Sequence, residues 1–469
     1  MLLRPRLNTS ETFYHHAIFE TATENLMINQ AALAESGMVR ATKRLVPFLG
    51  LMCLLSFLDR SNIGFAKGFL ETDVGLTAQA FAMGAGLFFL GYTTFEIPSN
   101  IIMHYVGARV WLARIMITWG LCAAAFAWVT SETMFYVLRV LLGLAEAGFF
   151  PGVMVFLTYW FVKERRAKIN GLFYYSVPIA FIVGGPMSGW LIEHMDGVWG
   201  WKGWQWMFAV EGLLASVVGV IAIFYLTDKP TKAEWMPEDE RVALQAVLDE
   251  ENSKNPPVHG NPLKVLGHPK VLYLCMIYFC FNWCFYGVNF YMPSMIAQFM
   301  NSEVNFMVGI VSTIPWIISC VGIYILTTWS DKSGRCAPIV SSGLLVAAVG
   351  IVMSTSSNIY IGILGLGLGA GGILASMPVF WTLPARFLSG LSLASAVALV
   401  NSIGTLGGWC APVARQWCAD NIGPEYGLYV LALPGVIAAC LVMGTIPMGI
   451  GSRLNPQAQA ELRLNSESH

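Results

Sequence analysis

Apolar runs of about twenty residues, separated by short polar breaks, follow one another from Leu45 almost to the end of the chain. A helix that crosses a bilayer needs about 20 mostly apolar residues. Such segments fall at about 45–66, 78–103, 110–129, 134–160, 168–192 and 205–226, then at about 270–299, 305–328, 337–356, 359–381, 391–414 and 426–450. Between the two sets, residues 227–269 are polar and proline-rich, with Asp228-Lys229-Pro230, Pro237-Glu238-Asp239-Glu240-Arg241 and Asn255-Pro256-Pro257. The pattern predicts an all-α integral membrane protein of 12 transmembrane helices in two six-helix bundles. The expected divisions are an N-terminal tail (1–44), a first bundle (45–226), a linker (227–269), a second bundle (270–450) and a C-terminal tail (451–469).

Composition agrees with the pattern. The chain is 56% hydrophobic and 12% charged, whereas an average soluble domain is about a quarter charged, so a soluble reading is excluded. A net charge of −1 offers no basic excess for nucleic acid. Cys53, Cys122, Cys275, Cys280, Cys284, Cys320 and Cys440 sit in apolar runs without a C-x-x-C pair, and no histidine lies mid-span. They read as packing residues, with no metal site and no cofactor expected.

Lys163, Arg165, Arg166 and Lys168 follow the fourth span, Arg109 the second, and Lys332 and Arg335 the eighth; the opposite loops offer only Lys67, Lys202 and Arg415. The positive-inside rule then puts both termini and the linker in the cytoplasm. Residues 1–36 have no apolar region or cleavage site of a secretory signal. Met38, before the basic flank Val39 to Arg44, is the more natural start, so the preceding residues read as an extended start or an interfacial tail.

Charges inside apolar runs carry the chemistry. A charged side chain at mid-membrane costs roughly 2.5–3.5 kcal/mol even on lenient insertion scales, so such residues usually face an internal cavity. The first span carries Asp59, Arg60 and Asn62; the fourth carries Arg139, Gly143 and Glu146 at i, i+4 and i+7, on one helical face. Two acids and two bases can be neutral when empty and must change protonation when an anion enters. A buried ion pair that only locks helices together would fit the same pattern. The second bundle has no mid-span acid or base; its polar content is Asn282, Tyr286, Asn289 and Tyr291, Trp381 and Thr382, and Asn401 and Ser402. Such groups suit a hydroxylated or aromatic anion held by neutral hydrogen bonds, or interhelical contacts. Glu96 reads as a member of a gating network with loop arginines, and Glu211 as a similar pair. Pro151, Pro186, Pro315, Pro378 and Pro412 are expected to bend helices.

Weak symmetry relates the halves. Gly184 to Gly189 of the fifth span has a counterpart in Gly404, Gly407, Gly408 and Pro412, and Gly107-Ala108-Arg109 echoes Asp331-Lys332-Ser333-Gly334-Arg335. Repeats with Gly/Pro-interrupted spans point to a transporter with a midplane site. Leu58-Asp59-Arg60-Ser61-Asn62-Ile63-Gly64-Phe65-Ala66, Arg139 with Gly143 to Gly152, and Trp160-Phe161 before Arg165-Arg166-Ala167 resemble the anion:cation symporter family of the major facilitator superfamily. That family includes permeases for sugar acids, tartrate, phthalate and hydroxyphenylacetate, and the likeness covers about Arg40 to Gly451.

The resemblance implies a proton-coupled importer of a small organic anion. Asp59 and Glu146 would carry protons, Arg60 would hold the substrate carboxylate, and Arg139 would tune Glu146. Asn62, Asn289, Trp381, Asn401 and Ser402 complete the expected substrate site; Glu96, Arg109, Asp331 and Arg335 join Arg139 as coupling or gating residues. Asp59 to Lys67 and Pro378 to Thr382 lean toward sugar-acid permeases of the rhamnonate or galactonate kind. Tartrate or an aromatic acid, and sodium coupling or uniport, stay open; a membrane enzyme or a sensor is remote. The expected partners are the anion, protons and lipid, with the chain acting as a monomer in a bacterial inner membrane.

Overall fold

Among the residues described in the computed structural model, 9–254, 267–388 and 390–451, every regular element is a helix. The first half comprises α1 (Thr9–Asp73), α2 (Ala78–Val106), α3 (Ala108–Ala125), α4 (Glu132–Glu146), α5 (Phe149–Thr158), α6 (Lys163–Tyr174), α7 (Ser176–His194) and α8 (Gly203–Tyr225). A linker helix, α9 (Glu238–Lys254), follows. The second half comprises α10 (Pro269–Asn289), α11 (Met292–Phe299), α12 (Phe306–Val311), α13 (Thr313–Ser333), α14 (Ala337–Met353), α15 (Ile359–Phe380), α16 (Gly390–Asn421) and α17 (Tyr426–Gly444). Eleven helical segments among the described residues are long and apolar enough to cross a membrane. The twelfth expected span is α14, whose 17 residues measure about 25 Å. The residues expected as the C-terminal tail lie outside the described residues, apart from Gly451.

Three boundaries differ from the sequence reading, each for a backbone reason. The first span does not begin at Leu45: α1 already runs through the basic flank, because nothing there stops a helix. Ser36 and Arg40 on its polar end reach Glu240 of α9, and Glu35 pairs with Arg165. The fourth span is two helices rather than one. α4 ends at Glu146, and the chain turns through Ala147 (φ −55°, ψ 132°) and Gly148 (φ 86°, ψ 0°) before α5. A left-handed residue in an L-chain favours glycine, and a side chain on Gly148 would also collide with Ser99. Pro151, expected to make the bend, lies in the first turn of α5, where a missing N–H costs nothing. The seventh span likewise breaks at Phe290 and Tyr291, with Pro293 opening α11.

The halves meet closely on the side away from the linker. A Cβ on Gly185 of α7 would stand 2.6 Å from the carbonyl oxygen of Gly309 of α12, and one on Gly189 equally close to that of Asn305. Real Cβ atoms do not approach so near, so two small residues let the backbones touch. Glu193 receives the N–H of Phe306 (2.9 Å), and Gln79 donates to Asp420 (2.9 Å). Between this closed side and the linker lies the cavity that holds the charges.

Candidate functional site

A cavity lies between the halves, walled by α1, α2, α5, α6 and α7 on one side and α10, α15 and α16 on the other. Half of the residues that line it are aromatic, and among the described residues Arg60 is the one cation on its wall. Arg60 lies a full turn after Ser56 on α1, so both point the same way. Its Nε donates to Glu146 Oε1 at 2.8 Å and its Nη2 sits 2.7 Å from the same oxygen, while Ser56 Oγ donates to it at 2.5 Å. The third arm crosses to the other half: Nη1 donates to the hydroxyl of Tyr286 on α10 at 2.8 Å. The guanidinium lies 5.1–5.2 Å from the ring centres of Phe57, Phe88 and Tyr92. Glu146, the last residue of α4, owes its position to the Gly148 break just beyond it.

Asp59 precedes Arg60 in sequence but faces the interior of the first half. Trp119 Nε1 donates to its Oδ2 at 2.7 Å. Asn62 Nδ2 lies 3.5 Å from Asp59 Oδ1 and donates to Glu211 Oε2 at 3.1 Å, and Ser188 Oγ donates to Glu211 Oε1 at 2.7 Å. This cluster holds two buried acids among neutral donors.

Several expected placements change. Arg139 does not hydrogen-bond Glu146; its Nε and Nη2 donate to the carbonyls of Gly84 and Ala85 on α2, at 3.0 and 3.1 Å. Gly143, on the same face, lets α2 come close enough to offer those carbonyls. Glu96 does not reach loop arginines. It is buried, and its two oxygens accept from Asn401 Nδ2 and Ser402 Oγ of α16, both at 2.5 Å. Asn401 lines the cavity. Asn289 instead faces a second, smaller space with Ser61 and Trp316, its Nδ2 buried without a partner. Trp381 packs on Tyr278 with ring centres 4.8 Å apart and does not line the cavity. The backbone N–H of Arg109 donates to Asp228 (2.8 Å); Asp331 and Arg335 are exposed on the linker side.

Ser56 and Trp119 were missed as site residues, and Tyr286 was read as a polar group of the second half without its contact to Arg60. The i, i+4 spacing of Ser56 and Arg60 was a usable signal; nothing in a single sequence pairs Trp119 with Asp59.

Residues 49–408 match the Major Facilitator Superfamily. The chain belongs to that superfamily. It is a multi-pass membrane transporter and not an enzyme. A protein of Agrobacterium vitis named "Putative tartrate transporter" is 39% identical over 420 residues, which is 89% of this chain and 95% of that one. The inner membrane transport protein RhmT of Escherichia coli (strain K12) is 37% identical over 412 residues, 88% of this chain and 95% of that one. Among solved structures, the inward open conformation of the xylose transporter XylE from E. coli superposes with a TM-score of 0.71 at 15% identity, covering 90% of this chain and 99% of that chain. At that identity the likeness shows the major facilitator fold alone.

Proposed function

We propose that this transporter is a proton-coupled symporter that imports a small hydroxylated organic anion, an aldonate-type sugar acid first, across a bacterial inner membrane as a monomer. The observation that carries the reading is the Arg60–Glu146 pair at the cavity wall, bridged to Tyr286 of the other half. In the empty cavity the pair is neutral overall. An incoming carboxylate offers Arg60 the same kind of charged acceptor that Glu146 Oε1 offers, and competes for it. Glu146, without its cation in a dry site, then takes up a proton, so the loaded site is again neutral. After release the proton leaves, Glu146 returns to Arg60, and the carrier resets without a net charge in its centre.

Asp59, in its separate cluster, supplies a second proton site. The polar groups of α16 read the hydroxylated end of the substrate. The cytoplasmic face is the linker side, and the halves close on the far side. Tartrate is the second reading, favoured by the named relative at 39% identity. Uptake of labelled aldonates, tartrate and aromatic acids into proteoliposomes, with and without an imposed pH gradient and with sodium present or absent, tests this. Accumulation of an aldonate driven by the pH gradient alone is the expected result; dependence on sodium, or no response to either gradient, overturns the coupling.

A further inference from the structure

Glu96 is a buried acid that the transport cycle above does not use. It stands on α2 of the first half, 1% exposed, with both oxygens spent on α16 of the second. Asn401 Nδ2 and Ser402 Oγ are neutral donors, and no cation lies within ion-pair distance of Glu96 among the described residues. Thr93, nearly one turn earlier on α2, adds a hydroxyl contact with Thr405 at 2.9 Å. Asn401 also borders the cavity, and its carbonyl oxygen takes no hydrogen bond from a described residue.

An amide has a donor end and an acceptor end, and a carboxylate is only an acceptor. With Glu96 charged, or with its proton on the oxygen that meets the Ser402 hydroxyl, one orientation of the amide follows: N–H toward Glu96, oxygen toward the cavity. We propose that Glu96 is a positioning residue for specificity, which holds the Asn401 amide so that its carbonyl oxygen faces the cavity and accepts a hydrogen bond from a substrate hydroxyl. The site then requires a donor at that point of the substrate, as a hydroxyl supplies and a fluorine or a missing oxygen does not. A buried polar group left unpaired by the wrong substrate is what gives such sites their discrimination. The proposal rests on the reading that the cavity takes a hydroxylated anion.

The test uses the purified full chain in nanodiscs, with affinities for a six-carbon aldonate and its monodeoxy and monofluoro analogues, and for tartrate against malate. The parent should favour the hydroxylated member by about tenfold at one carbon position. Glu96→Gln fills the same space but can offer either amide end to Asn401, so that preference should fall to within about threefold while affinity for the fluoro and deoxy analogues stays level. Glu96→Asp should restore part of the preference, and Asn401→Ala should abolish it with no further effect of Glu96→Gln. A uniform loss across all analogues in Glu96→Gln, or unchanged discrimination, overturns the proposal and leaves a contact that only joins the halves. If the parent binds none of the hydroxylated acids, the organic-anion reading itself fails and this proposal fails with it.

Discussion

Asp59 and Arg60 are neighbours on one helix, yet each belongs to a different electrostatic region. Arg60 faces the cavity and is matched by an acid, Glu146, and by a hydroxyl from the opposite half. Asp59 turns into the first half, where it meets Trp119 and, through Asn62, a second acid, Glu211. One region has a base that lines the cavity and a buried acid directly behind it. The other has two acids and no base within reach of the described residues, sealed from it. The difference teaches that the two acids carried over as proton sites cannot do the same thing: substrate can act on one through Arg60, which lines the cavity, and on the other only by moving a helix.

The comparison breaks or sharpens most clearly at the acids. Glu146→Gln and Asp59→Asn should both abolish accumulation against a gradient, since an amide mimics a protonated acid that cannot release its proton, while both keep substrate counterflow. They should part in equilibrium binding: Glu146→Gln removes the competitor for Arg60 and tightens the anion, whereas Asp59→Asn leaves affinity unchanged. Calorimetric titration of both variants decides it, and equal affinities would merge the two regions into one.

Arg60→Lys comes next. A lysine keeps the charge but cannot present the two-pronged donor geometry of a guanidinium, so affinity should fall about tenfold or more through the loss of one charge-assisted contact. An unchanged affinity in a folded variant would place the anion elsewhere. Smaller again is Glu211→Gln, because Asn62 and Ser188 can both still meet an amide; uptake should stay within about threefold of the parent. A collapse of accumulation in that variant would make Glu211 a proton carrier in its own right.

The smallest effect belongs to a pair outside the membrane. Arg40 holds the Glu240 carboxyl below its usual range through a hydrogen-bonded ion pair, and Arg40 itself is about half exposed, with 47% of its side chain accessible. Because the folded state favours the charged carboxylate, the contribution is present above the ordinary carboxylate range and is lost as pH falls below it. Thermal melts of Arg40→Ala and the parent should differ slightly at neutral pH and converge in acid. A difference as large as that of a dry pair would contradict the screening expected at a wet surface.

The apolar membrane-spanning helices were legible because hydrocarbon imposes a length and a composition that no soluble protein needs. Asp59, Arg60 and Glu146 were legible for the same reason, as charges where charge is costly. Partners were not. Helical spacing put Arg139 and Glu146 on one face, but the face does not say that backbone carbonyls of α2 would take Arg139 first. Glu96 looked like a loop-facing acid because its distance from the end of its span could be counted, whereas its contact with α16 depends on how the halves dock. The Gly148 break was visible only as one glycine among several, since φ is not written in a residue name.

The contact between Gly185 and Gly309 turns a sequence position into a handle on the conformational ensemble. A methyl group at Gly185 has no room in the closed arrangement on the far side, and it finds room only when α7 and α12 separate. Gly185→Ala should therefore disfavour this arrangement and populate the opposite one without touching a charge or a substrate contact. Hydrogen exchange in α7 and α12 would report the shift. A single carbon atom would then serve the experimentalist as a conformational lever, separating the energetics of rocking from those of binding.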